Sequence, residues 1–225
     1  MLFSFEAFAS LNRWLGGFWR LILLNLLWTA VTLLGLGLFG IGPASYALAT
    51  YLDGWFRHGR TPPTIRTFLR DARERLGAAV AMGLVLSAAG VVIGVNLLSL
   101  SDWYLRAANH MALIVLLIIG AYVFFVMAAT EVRGLHRQIG GALLLGIGSL
   151  HWTIIGALAV AIAEAFMLRF AVALFPLLGA VLPFLAVALI LRPVLTDLDQ
   201  AVTAETETPA DTPSDPRALT EGHLT

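Results

Sequence analysis

Four arginines crowd into one short stretch, Arg66, Arg70, Arg73 and Arg75, and they are the densest chemistry the sequence offers. A guanidinium presents five donors in a planar fork that meets carboxylate or phosphate oxygens in pairs, which an ammonium cannot do. All 14 basic residues of the chain are arginine. Such a cluster can bind an anionic lipid surface, at about 1 kcal/mol per residue, or dock a partner protein. The other polar side chains are scattered. Asn25 and Trp28 interrupt a long apolar run. An amide in lipid must find partners, so Asn25 either joins helices, the commoner case, or binds a substrate. Gly42 and Pro43 belong to a Gly-rich turn into a helix, whose free N–H groups could hold an anion; a tight surface turn is the plainer reading. Glu164 and Arg169 flank one expected turn and Glu131 and Arg133 another, at span ends that water reaches. His151, beside Trp152, lies deeper in an apolar run, where a histidine is more often packed than a ligand.

Several chemistries are excluded or unsupported. The chain has no cysteine, so disulfides, thiolate catalysis and Cys-ligated metals are out. It contains no HExxH, Walker or G-x-S-x-G pattern. With no nucleophile and base at motif spacing, we expect no catalytic residue, no cofactor and no metal. The net charge is zero, so no global field points to nucleic acid.

The elements that must position these residues are apolar helices. Hydrophobic residues make up 59% of the chain and charged residues 12%, about half the share of a soluble domain. Mean hydropathy is +0.87. The apolar residues come in blocks long enough to cross about 30 Å of hydrocarbon. We expect an all-α, polytopic transmembrane bundle of about six spans, over 15–39, 43–56, 77–100, 107–130, 139–163 and 167–191. The run from Leu15 is too long for a cleaved signal and should stay in the membrane. The second span is short, and re-entry is its alternative. Pro176 and Pro183 should kink the last. Residues 1–14 read as a separate interfacial amphipathic helix. Residues 61–76 read as an in-plane amphipathic helix, with Ile65, Phe68, Leu69, Ala72 and Leu76 on its apolar stripe and the arginines elsewhere. Gly83, Ser87, Gly90 and Gly94 form a small-residue stripe suited to close packing. Residues 200–225, rich in Thr, Pro, Asp and Glu, read as a disordered cytoplasmic tail.

Arginine placement sets the orientation. With six spans and the N-terminus inside, twelve arginines fall on the cytoplasmic side and only Arg106 and Arg169 outside. This is the asymmetry of the positive-inside rule, with both termini in the cytoplasm.

The block from Leu24 to Leu48 (LNLLWTAVTLLGLGLFGIGPASYAL) resembles the opening of the YesL-like family. That opening has an Asn-Leu-Leu-Trp span, a Gly-Pro-Ala turn and a short helix. The charged segment from Thr67 to Leu76 resembles the family's Phe-centred cytoplasmic helix, and TEVRGLHRQIGGALLLGIGSLHWTII is a third match. The resemblance covers about residues 12–198. It implies a bacterial inner-membrane protein of unknown function, encoded near carbohydrate uptake and glycan-degradation systems. It supplies no catalytic residue. The expected function is a non-enzymatic membrane protein accessory to transport, with carbohydrate uptake as its implied context. The expected partners are the bilayer, anionic lipid at the cytoplasmic face and a sugar-uptake membrane protein. A self-standing small-solute carrier is the first alternative and an intramembrane enzyme the second.

Overall fold

The computed structural model describes residues 5–130 and 134–207. They form an all-α bundle: α1 (Phe5–Leu34), α2 (Ile41–His58), α3 (Thr64–Glu74), α4 (Leu76–Ser99), α5 (Trp103–Ala129), α6 (Leu135–Gly148), α7 (Leu150–Phe170), a 3₁₀ turn (Val172–Leu174), α8 (Phe175–Leu178) and α9 (Val181–Glu207). Among the described residues, four stretches are long and apolar enough to cross a membrane, within α1, α4, α5 and α7. A fifth is the pair Val172–Leu178 and Val181–Pro193, bent by 52°. Leu34, Leu98 and Leu144 are more than 70% exposed on the outside of the bundle, an apolar surface suited to lipid. These are the helices of a membrane protein.

At the centre stands α2, the short second segment of the sequence reading. It is not among the stretches apolar enough to pass as a lipid-facing span. Instead, α1, α3, α4, α5 and α9 pack around it. Its small residues explain how: Gly42, Ala44, Ser45, Ala47 and Ala49 are all buried and let several helices approach at once. Lipid tails are as apolar as leucine, so helix association in a membrane relies on close van der Waals packing rather than on expelling water. Gly42 meets Gly83 of α4. A Cβ on Gly83 would lie 2.8 Å from the Gly42 Cα, and one on Gly42 would overlap the Ala79 carbonyl. The small-residue stripe on α4 therefore begins at a true helix crossing. It does not continue as one, since a Cβ on Gly94 meets nothing within 4 Å.

Several boundaries differ from those the sequence predicts. The interfacial helix does not stand alone: α1 runs unbroken from Phe5 through Trp14 into the first span. That span stops at Leu34 rather than Phe39. Gly37 N donates to Thr32 O and Leu36 N to Leu33 O, with Leu36 itself left-handed at φ 55°. This is the Schellman closure usually built around glycine, here with leucine at the left-handed position. Pro43 sits in the first turn of α2 but at its third residue, still among the N–H groups that lack an intrahelical partner. The basic helix starts at Thr64, not Thr61, and ends at Glu74.

The C-terminal half departs most. The expected span 139–163 is two helices divided at Ser149, and the expected outer turn near 164–167 is absent because α7 continues to Phe170. The kink expected from Pro176 and Pro183 is a full break between them, at residues 179–180. The helix α9 extends to Glu207, so residues 200–207, read as disordered, are helical. The rest of that tail, 208–225, lies outside the described residues, as do Glu131 and Arg133.

Candidate functional site

Three polar constellations stand out, each placed by a different part of the bundle. The first is a clamp on the broken helix. Asn25 is 1% exposed on the inner face of α1. Its Nδ2 donates to the Pro176 carbonyl at 2.7 Å, and its Oδ1 accepts from the Val181 amide at 2.9 Å. One side-chain amide thus satisfies one backbone group on each side of the helix break, a carbonyl of the first piece and the first N–H of the next. One turn along α1, Trp28 Nε1 donates to Ser45 Oγ at 3.1 Å. The pair Asn25 and Trp28 therefore joins α1 to the break and to α2. Both side chains are used in helix packing.

The second constellation is the α3 face. Tyr51 of α2 holds the start of this helix, its hydroxyl 3.2 Å from the Pro62 carbonyl and 3.0 Å from Thr64 Oγ1. Phe68 and Ala72 pin it to the bundle from below. The apolar stripe read from the sequence is divided by this packing. Phe68 and Ala72 turn inward, while Ile65, Leu69 and Leu76 remain exposed. Beside that exposed ridge, Arg66, Arg70 and Arg73 are also exposed. Arg75 is different. Its Nη1 donates to the carbonyls of Met127 at 3.0 Å and Thr130 at 3.4 Å, so it closes the C-terminus of α5. A guanidinium satisfies orphan carbonyls and complements the negative helix end there. The four-arginine cluster is thus three surface arginines and one structural one.

Asp71 lies beneath this face, almost fully buried. Both Nε and Nη2 of Arg70 donate to its Oδ1, at 3.1 and 2.9 Å. Burial pushes its carboxyl above the ordinary carboxylate range, outweighing the opposing pull of Arg70. The fold therefore disfavours the ionised form. Any stability this group adds is present at low pH and is lost as pH rises through its titration.

The third constellation is a cleft of about 420 Å³ between α5, α7 and α9. Its walls are apolar except for Tyr122, Thr153 and Glu164. Tyr122 is fully buried, with its hydroxyl 2.6 Å from Thr153 Oγ1 and 3.3 Å from Ser149 Oγ. These three hydroxyls gather at the α6–α7 break, where Ser149 donates to the Leu145 carbonyl.

Other residues singled out by the sequence land elsewhere. Glu164 is not at a water-facing turn but within α7, half-buried and lining the cleft. His151 is exposed near the start of α7, its ring 5.2 Å from that of Trp152, and is not packed inward. Gly42 and Pro43 are buried, and α4 lies across that helix start, which leaves no room for an anion. The break at Ser149 and the role of Tyr122 carried no signal beyond the Gly148-Ser149 pair in an otherwise apolar run.

A family model described as "Protein of unknown function, DUF624" matches residues 21–97, from within α1 through most of α4. The chain is 29% identical over 170 residues to the uncharacterized protein YteU of Bacillus subtilis (strain 168), covering 74% of this chain and 73% of that protein. It is 29% identical over 93 residues to the uncharacterized protein YesL of the same organism, covering 41% of this chain and 44% of that protein. No solved structure matches it. The chain is thus similar to YteU and YesL, and its residues 21–97 match the DUF624 family of unknown function.

Proposed function

We propose that the chain is a non-enzymatic accessory protein of a bacterial cytoplasmic membrane that works beside a transport system through its α3 face. The observation that carries this reading is the way α3 is mounted. Phe68, Ala72 and the Tyr51 hydroxyl fix the helix to the central α2, while Ile65, Leu69, Arg66, Arg70 and Arg73 stay exposed. A rigidly held ridge of apolar and guanidinium groups is what an interfacial docking surface needs: it meets anionic lipid on one side and an acidic partner on the other. Arginine placement supports the cytoplasmic side for this face and for both termini, because Arg106 and Arg169 fall at the opposite ends of α5 and α7. The context of carbohydrate uptake rests on the resemblance to the YesL-like family.

The accessory reading is favoured over a sugar carrier by the chemistry of the cleft. A sugar needs a ring of hydrogen-bonding groups, and this cleft offers three polar side chains, two of them bonded to each other.

The test replaces Arg66, Arg70 and Arg73 together by lysine and leaves Arg75 to cap α5. Charge, insertion and most lipid attraction are kept, while the bidentate fork is lost. Co-purification with a sugar-uptake membrane component of the native host should fall about tenfold or more, the effect of losing a few charge-assisted contacts. Unchanged co-purification together with unchanged growth on the carbohydrate would leave α3 as a topology and lipid anchor alone.

A further inference from the structure

The volume of the α5–α7–α9 cleft, about 420 Å³, lies in the range of small-molecule sites, about 300–1,000 Å³. Its lining is also that of such a site, apolar with a few placed polar groups. Gly156 shapes its floor, where a Cβ would come within 2.8 Å of the Ile190 side chain. Ala157 and Ala161 are lining residues that are exposed, so the cleft is reachable from the outside of the bundle.

Glu164 is the charged group of the cleft, and no cation among the described residues pairs with it. It makes no hydrogen bond or ion pair among the described residues. The nearest arginine along α7, Arg169, packs over the Phe170 ring at 5.6 Å instead. Depth makes this costly. Gly156 packs against Ala186 and Ile190, and Glu164 lies about 12 Å further along α7 at 1.5 Å per residue. That rise brings it close to the level of the α8–α9 break. The break is held by Asn25, midway along the apolar stretch Leu15–Leu34. An ionisable side chain at such depth marks function by default, with an opposite charge as its partner.

We propose that this cleft binds an amphipathic monocation, an amine or quaternary ammonium with an apolar body. The cationic head sits at Glu164 and the body lies along the α5 and α9 walls. The inference is independent of the α3 face.

The experiment uses the full chain in nanodiscs of phosphatidylcholine, with empty nanodiscs as reference. Equilibrium dialysis compares decyltrimethylammonium with decanol and decanoate, which share the chain but not the charge. The protein should retain the cation well above empty discs and above both analogues. Glu164→Gln should weaken retention of the cation by about tenfold or more, Glu164→Asp should keep most of it, and Ala157→Phe should block the cleft. If Glu164→Gln binds the cation like the parent protein, or if decanol or decanoate is retained as tightly as the cation, the cleft is an acyl-chain slot and the proposal falls. The ratio of cation to decanol in the unaltered protein decides the matter even if the glutamine variant does not fold.

Discussion

Gly42→Val is expected to abolish the native α2–α4 crossing and to lower stability by about 3 kcal/mol or more. A Cβ at this position overlaps the Ala79 carbonyl, and Gly83 on the same helix already approaches the Gly42 backbone. Backbone cannot move aside as the tip of a side chain can, so α2 must leave α4. Overpacking commonly costs about 1–3 kcal/mol, and more where the obstacle is rigid. Because α2 touches five other helices, its displacement spreads through the bundle. Gly94→Ala is the control, since its Cβ meets nothing within 4 Å; there the change should be neutral or stabilising by up to about 1 kcal/mol through helix propensity. Thermal unfolding in detergent reads both. Equal effects at the two glycines would mean that the crossing is not close.

Asn25→Leu removes the clamp and is expected to cost about 2 kcal/mol. Leucine fills much of the same volume but leaves the Val181 amide and the Pro176 carbonyl without their partner. A buried backbone group left unpaired costs about 1–3 kcal/mol. Interhelical bonds in membranes average nearer 0.6 kcal/mol because the unfolded chain also finds partners, and two lost bonds at a helix break place the sum between these limits. The neighbouring Thr29 hydroxyl only donates back to the Asn25 carbonyl of its own helix. Thr29→Val should therefore change stability by less than about 0.5 kcal/mol. If Asn25→Leu is no worse than Thr29→Val, the amide is not what holds the break.

The residues that could be read from the sequence were those whose chemistry conflicts with lipid. An amide in an apolar run, as at Asn25, has to point inward, and it does. Two prolines in one apolar run, Pro176 and Pro183, have to interrupt a helix, and a break of 52° lies between them. The arginines of 66–75 have to reach water or cap a helix, and both occur. What the sequence hides is where a helix ends when both the helix and its turn are apolar. Residues 35–40 turn without a polar side chain, marked only by Gly35, Gly37 and Gly40. Likewise α6 gives way to α7 at Ser149 within an apolar stretch, where no proline marks the change. In water, polar residues punctuate helices because loops are solvated; in lipid that signal is lost. Glu164 reads as a turn residue from the sequence for this reason, whereas in the structure it lies inside α7 and lines the cleft.

The proposed orientation puts α3 on the cytoplasmic side of the membrane and the α4–α5 connection outside. The chain has no cysteine, so single cysteines report cleanly. Ser101 lies exposed between α4 and α5, and Arg60 lies exposed before α3. A membrane-impermeant maleimide applied to intact cells should label Ser101→Cys and leave Arg60→Cys untouched until the membrane is opened. Labelling of both positions from the same side, or of Arg60→Cys alone from outside, contradicts the account.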